Sequence, residues 1–131
     1  MKRFKLRPRK DIKKLKRKLL RRGGNAFQND WYLHDQIDRG LCTALLKRGF
    51  LDDGRLAHLR KMRRSQCHDN SLRLVQKHPN WTMYTGLALS EDGIWRVHSW
   101  VTTRRTLIET TVPRELYFGV PVIDWEGRAY G

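Results

Sequence analysis

Three residues of this sequence have the types and spacing for nucleophilic chemistry: Cys67, His98 and Glu109. A thiol becomes a strong nucleophile once it is a thiolate, and a neighbouring imidazole favours that state. A carboxylate beside the imidazole fixes its tautomer and raises its basicity. The expected reaction is thiolate attack on an acyl carbon. His98 protonates the leaving group, Glu109 orients His98, and water or another nucleophile takes up the acyl group.

The elements that must position these residues can be read from periodicity. Cys67 falls near the start of an expected helix that begins around Ser65–Cys67, carries Leu72, Leu74 and Val75, and finishes before Pro79. The open amides and dipole of a helix N-terminus favour a thiolate. After Pro79 the pattern becomes strand-like over 82–89, 94–101, 106–112 and 117–122, rich in β-branched and aromatic residues. Ser90-Glu91-Asp92-Gly93 and Thr102-Thr103-Arg104-Arg105 are the hairpin turns between the first three strands. A second turn centred between Thr103 and Arg104 places His98 directly opposite Glu109, where cross-strand Cβ atoms lie about 4.5–5.5 Å apart. Pro121 marks the fourth strand as an edge.

Upstream, Ile12, Leu15, Leu19 and Leu20 form one helical stripe ended by Gly23-Gly24. A second helix is expected from about Asn29 to Arg48, with Gly49 at its C-cap. Asp52-Asp53-Gly54 reads as a turn and Arg55–Arg64 as a short basic helix. The expected fold is α+β: N-terminal helices, then a four-stranded antiparallel meander packed on the Cys67 helix. Two units are expected, a basic helical extension over 1–24 and a compact domain over 25–131.

Charge divides the chain in the same way. Of its formal +15, residues 1–22 supply +12, with 13 Lys/Arg against Asp11 alone. Residues 65–131 hold seven basic and seven acidic residues and are neutral. The N-terminal segment is therefore expected to bind polyanions without sequence specificity, through Lys13, Lys14, Arg17, Lys18, Arg21 and Arg22. Nucleic acid is the leading partner there. A membrane-surface role would have only Phe4 as aromatic anchor.

Two cysteines are too few for a disulfide scaffold. Cys42, in the apolar run 41–46, reads as a buried small side chain. No run approaches the roughly 18 apolar residues of a membrane span. The basic N-terminus lacks the apolar segment of a secretory signal. The expected setting is cytoplasmic.

The residues Cys67-His68-Asp69-Asn70, 86–96, His98-Ser99-Trp100, Ile108-Glu109-Thr110-Thr111 and Tyr117-Phe118-Gly119-Val120 resemble an uncharacterised bacterial and phage family over about 66–122. The order Cys, His, acid also resembles the papain-like cysteine hydrolases, including their transglutaminase-like and cell-wall-endopeptidase branches. That resemblance implies a thiol-dependent hydrolase or acyltransferase acting on amide or related acyl bonds of a protein or peptide-like substrate. Papain itself carries a Gln before its Cys for the oxyanion hole, whereas Lys61 and Met62 stand at those positions here. The oxyanion donors here are then the Cys67 amide and the side chain of Gln66 or Asn70, although Asn70 is also placed to fix the helix or His98.

Trp100 and Arg96 share the strand face of His98 and are the expected cleft residues. Trp81, Trp95 and Trp125 read as core or pocket wall. His68 next to Cys67 raises a metal site with His98, but no Cys-x-x-Cys or His-x-x-x-His accompanies it, so neither metal nor cofactor is expected. The contrasting readings make Cys67 a structural thiol and His98–Glu109 a structural ion pair. The rival function is a non-enzymatic nucleic-acid-binding accessory protein using residues 2–22.

Overall fold

A computed structural model describes residues 9–123. Phe4, Trp125 and residues 2–8 of the basic segment lie outside the described residues.

Helix α1 (Lys10–Leu20) forms on the expected stripe: Ile12, Leu15 and Leu19 are buried in the main core beside Leu41, Leu45, Leu87, Trp95 and Phe118. It ends at Leu20, and a turn through Gly23-Gly24 follows. Gly24 has φ +73°, and a Cβ there would stand 2.9 Å from the Gly93 carbonyl and from Trp95 Nε1. Trp95 Nε1 donates to the Gly23 carbonyl at 2.9 Å, so the turn is tied to the sheet.

The single helix expected over 29–48 is two, α2 (Asp30–Gln36) and α3 (Arg39–Arg48). The division has a local cause. Asp38 accepts from the Leu41 amide at 2.8 Å and caps a new helix, while Ile37 is extended. The Ile37 carbonyl is taken by the Arg9 guanidinium at 2.7 Å.

The basic helix expected over Arg55–Arg64 does not form. Strand β2 (Phe50–Asp53) is followed by a 3₁₀ turn (Gly54–Leu56) and by strand β3 (Ala57–Leu59). Its few apolar residues make no stripe to bury, and Leu56 is 79% exposed. The backbone pairs with a sheet edge instead.

The four-stranded antiparallel meander is also corrected: the sheet is mixed and has seven strands. Strand β1 (Ala26–Phe27) precedes those already named. After α4 (Cys67–Lys77) come β4 (Thr82–Leu89), β5 (Ile94–Thr102), β6 (Leu107–Glu109) and β7 (Leu116–Val122). The order is β2-β7-β4-β5-β6-β3, with β1 on β5. Strand β7 thus returns to lie beside β4 instead of extending past β6. The sheet curls enough for Tyr117 of β7 to reach Glu109 of β6 at 2.8 Å, with two strands between them. The α+β class holds, and α4 packs on β5 and β4.

One stretch of β5 matters most. Its outer edge is covered by β1 at 94–95 and by β6 at 101–102. Between these, the Val97 amide donates to Gln28 Oε1 at 2.7 Å, and the Ser99 amide is left for the helix that docks there. Beyond β3 the chain stays beside β6, with the Arg60 and Met62 amides donating to the Glu109 and Thr110 carbonyls at 2.8 Å. That path delivers residues 63–66 to the same gap.

Candidate active site

Cys67 is the first residue of α4 and is partly exposed. The turn before it is held from two sides. Asn70 is buried, and its Nδ2 donates to the Arg63 carbonyl at 2.7 Å. Ser65 adopts φ 58°, a left-handed conformation that β-carbon-bearing residues seldom occupy. Backbone strain of this kind clusters at functional sites.

His98 is 2% exposed and Glu109 0%. His98 Nε2 lies 2.7 Å from Glu109 Oε1, which leaves Nδ1 for the Cys67 thiol that hydrogen-bonds the same ring. Their register differs from the symmetric expectation. Val101 pairs with Ile108 and Thr102 with Leu107, so the turn is centred one residue later. Glu109 therefore stands opposite Trp100, and His98 meets it diagonally. A two-residue slip preserves the face, so the contact survives.

Glu109 is fixed by further donors. Tyr117 donates its hydroxyl proton to Oε1 at 2.8 Å, and the Thr111 amide and hydroxyl donate to Oε2 at 3.0 and 3.1 Å. Strand β7 follows β6 in the chain but is separated from it by two strands in the sheet, so only the curl of the sheet reveals the Tyr117 contact.

These contacts set the charge states. Burial pushes the Cys67 thiol up, but the hydrogen bond and charge of His98, with the Ser99 amide, hold it below the ordinary thiol value; Glu109 opposes. Burial would depress His98, yet Cys67 and Glu109 raise it above the usual imidazole value. Burial would raise Glu109, yet His98, Thr111 and Tyr117 bring it below the usual carboxylate value. The imidazolium thus supports the thiolate on one side and the carboxylate on the other.

Cys67 opens into a groove of about 330 Å³, whose walls include Tyr32, Gln36, Gln66, His68 and Ser99. His68 Nδ1 lies 3.2 Å from Ser99 Oγ, which donates to Thr85 Oγ1 at 3.0 Å. Among the described residues no three His, Cys, Asp or Glu side chains are placed to hold a metal ion.

The other expected residues are placed less uniformly. Gln66 is exposed at the groove and makes no capping hydrogen bond. Asn70 is committed to Arg63. Trp100 is fully buried behind His98, with ring centroids 6.0 Å apart, and does not line the groove. Arg96 pairs with Asp92 at 2.8 Å, also away from the groove. Lys14, Arg17, Lys18, Arg21 and Arg22 line a separate groove, and Lys13 does not.

Searches against protein-family models, curated proteins and solved structures found no match to the chain.

Proposed function

We propose that the protein is a thiol-dependent hydrolase or acyltransferase, with Cys67 as nucleophile, His98 as acid and base, and Glu109 as its orienting carboxylate. The observation that carries this reading is the buried imidazole held between a partly exposed thiol at a helix start and a buried carboxylate. The Cys, His, acid order is that of papain-like enzymes. A reducing, cytoplasmic setting suits a reactive thiol.

In the reaction, Cys67 Sγ forms a bond to the acyl carbon of a peptide-like substrate. The Cys67 amide, which has no acceptor within the helix, and the Gln66 side chain stand beside the developing oxyanion. His98 Nδ1 passes its proton to the leaving amine as the C–N bond breaks. A water or an acceptor amine then gives a proton back to His98 and attacks the thioester, releasing the acyl product and the thiolate. Peptidase, deamidase and acyltransferase share these steps and differ in acceptor.

The test is the pH dependence of Cys67 alkylation by iodoacetamide in a Cys42→Ala background, with and without His98→Ala. The expected apparent thiol pKa lies below about 8.5 and rises when His98 is removed. An ordinary pKa indifferent to His98 overturns the resting ion pair.

A further inference from the structure

On a different part of the molecule from the Cys67 groove, α1 and α3 enclose a trough of about 830 Å³ lined by Lys14, Arg17, Lys18, Arg21, Arg22 and Lys47. We propose that this trough binds the phosphodiester backbone of nucleic acid, independently of whether Cys67 is catalytic.

The cations are arranged, not scattered. Lys14, Arg17, Lys18, Arg21 and Arg22 recur at i, i+3, i+4, i+7 and i+8, one continuous face beside the stripe of Ile12, Leu15 and Leu19. That stripe is buried, so the core fixes which way the basic face points. Lys47 joins from the other wall, α3, and is remote in sequence. Thr43 adds a hydroxyl, and no carboxylate lines the trough.

The charge is also left uncompensated. Lys16 and Arg9, on the same segment, pair with Asp30 and Asp11. Among the described residues Lys14, Arg17, Arg21, Arg22 and Lys47 have no ion-pair partner, and Lys18 donates to the Leu46 carbonyl at 3.2 Å. Like charges three and four positions apart on a helix destabilise it. A bound polyanion would remove that repulsion.

Shape selects the polyanion. The basic face from Lys14 to Arg22 runs about 12 Å at 1.5 Å per residue, matching about four successive phosphates at a rise of ~3.4 Å. A linear chain fits between two helices. A lipid surface calls for a convex face with apolar anchors.

Fluorescence anisotropy of labelled 20-nucleotide single-stranded and duplex probes, titrated across potassium chloride concentration, tests the assignment. Lys47→Ala with Arg17→Ala should weaken binding about tenfold or more and flatten the salt dependence by about one to two in log–log slope. Lys10→Ala with Lys13→Ala removes the same charge from α1 off the trough and should change affinity less than about threefold. Lys47→Arg should restore wild-type binding, and circular dichroism of each variant verifies folding. Equal losses from both pairs overturn the trough in favour of diffuse attraction. Absence of binding to either probe, or tighter binding to phosphatidylserine vesicles than to both, overturns nucleic acid as the ligand.

Discussion

His98 and Glu109 meet on a diagonal: Glu109 stands opposite Trp100, yet its Oε1 is 2.7 Å from His98 Nε2. The diagonal leaves room for Tyr117 to reach the same oxygen from β7. The carboxylate is therefore held by the sheet's curl as well as by its own strand.

Glu109→Gln should uncouple the thiol from its imidazole. An amide nitrogen facing Nε2 donates where the carboxylate accepted, which places the ring proton on Nδ1 and removes its capacity to take the Cys67 proton. Alkylation of Cys67 between pH 6 and 7 should slow about tenfold or more. Stability should show the same carboxylate. Because the folded Glu109 value lies below the ordinary 4.5, its contribution is full above pH 4.5 and is lost as pH falls through the folded value. Wild type should lose stability below pH 4.5 more steeply than Glu109→Gln, as read by urea unfolding at a series of pH values. Parallel acid limbs would exclude a stabilised carboxylate.

The two cysteines should differ sharply in reactivity. Cys42 is fully buried, and burial together with the Asp11 carboxylate pushes its thiol up to about 12. Iodoacetamide at pH 8 should label the native chain once, at Cys67, and reach Cys42 only in denaturant. Peptide mass spectrometry reads both sites. Native labelling of Cys42 at a comparable rate would contradict its burial.

Tyr117 acts on the thiol only through Glu109, as a positioning residue. Tyr117→Phe removes one donor to a charged acceptor, a loss of about 1.5–3 kcal/mol, while Thr111 still holds Oε2. The melting temperature should fall by several degrees. The apparent pKa of Cys67 alkylation should rise as well. A lower melting temperature with an unchanged pH profile would make Tyr117 purely structural.

The sequence carried the local elements of the site. Leu74 and Pro79 bound the Cys67 helix, and β-branched runs with Gly93 mark the β4–β5 hairpin, where Gly93 does take φ +85°. The face shared by His98 and Glu109 was legible because period 2 survives a two-residue slip in the pairing. Other features were not. Strands of two to four residues, such as Ala26–Phe27 and Ala57–Leu59, are too short for alternation to register, and they form only because β5 and β6 offer unpaired edges. The break at Asp38 has a capping residue, but the apolar pattern runs through it. The return of β7 to β4 depends on contacts between strands that no local spacing encodes. Arg96 and Trp100 share His98's face by parity; salt-bridging to Asp92 and complete burial then decide their surroundings.

Gly119 is the position where a single methyl group should disturb the site from behind. A Cβ there would stand 2.6 Å from Trp100 Cη2 and 2.7 Å from the Thr85 carbonyl. Trp100 has no free direction of retreat, because it is fully buried against Tyr117 at 5.1 Å and His98 at 6.0 Å between ring centroids. Gly119→Ala should cost about 1–3 kcal/mol by overpacking. The displaced indole should also turn His98 and slow Cys67 alkylation. Gly40→Ala is the comparison, since its Cβ meets only Asp38 Oδ1 at 3.4 Å, an ordinary contact. In a helix that substitution should gain about 0.5–1 kcal/mol and leave alkylation unchanged. Chemical denaturation with parallel alkylation rates reads both variants. A Gly119→Ala protein as stable and as reactive as wild type would mean that Trp100 yields freely and does not brace His98.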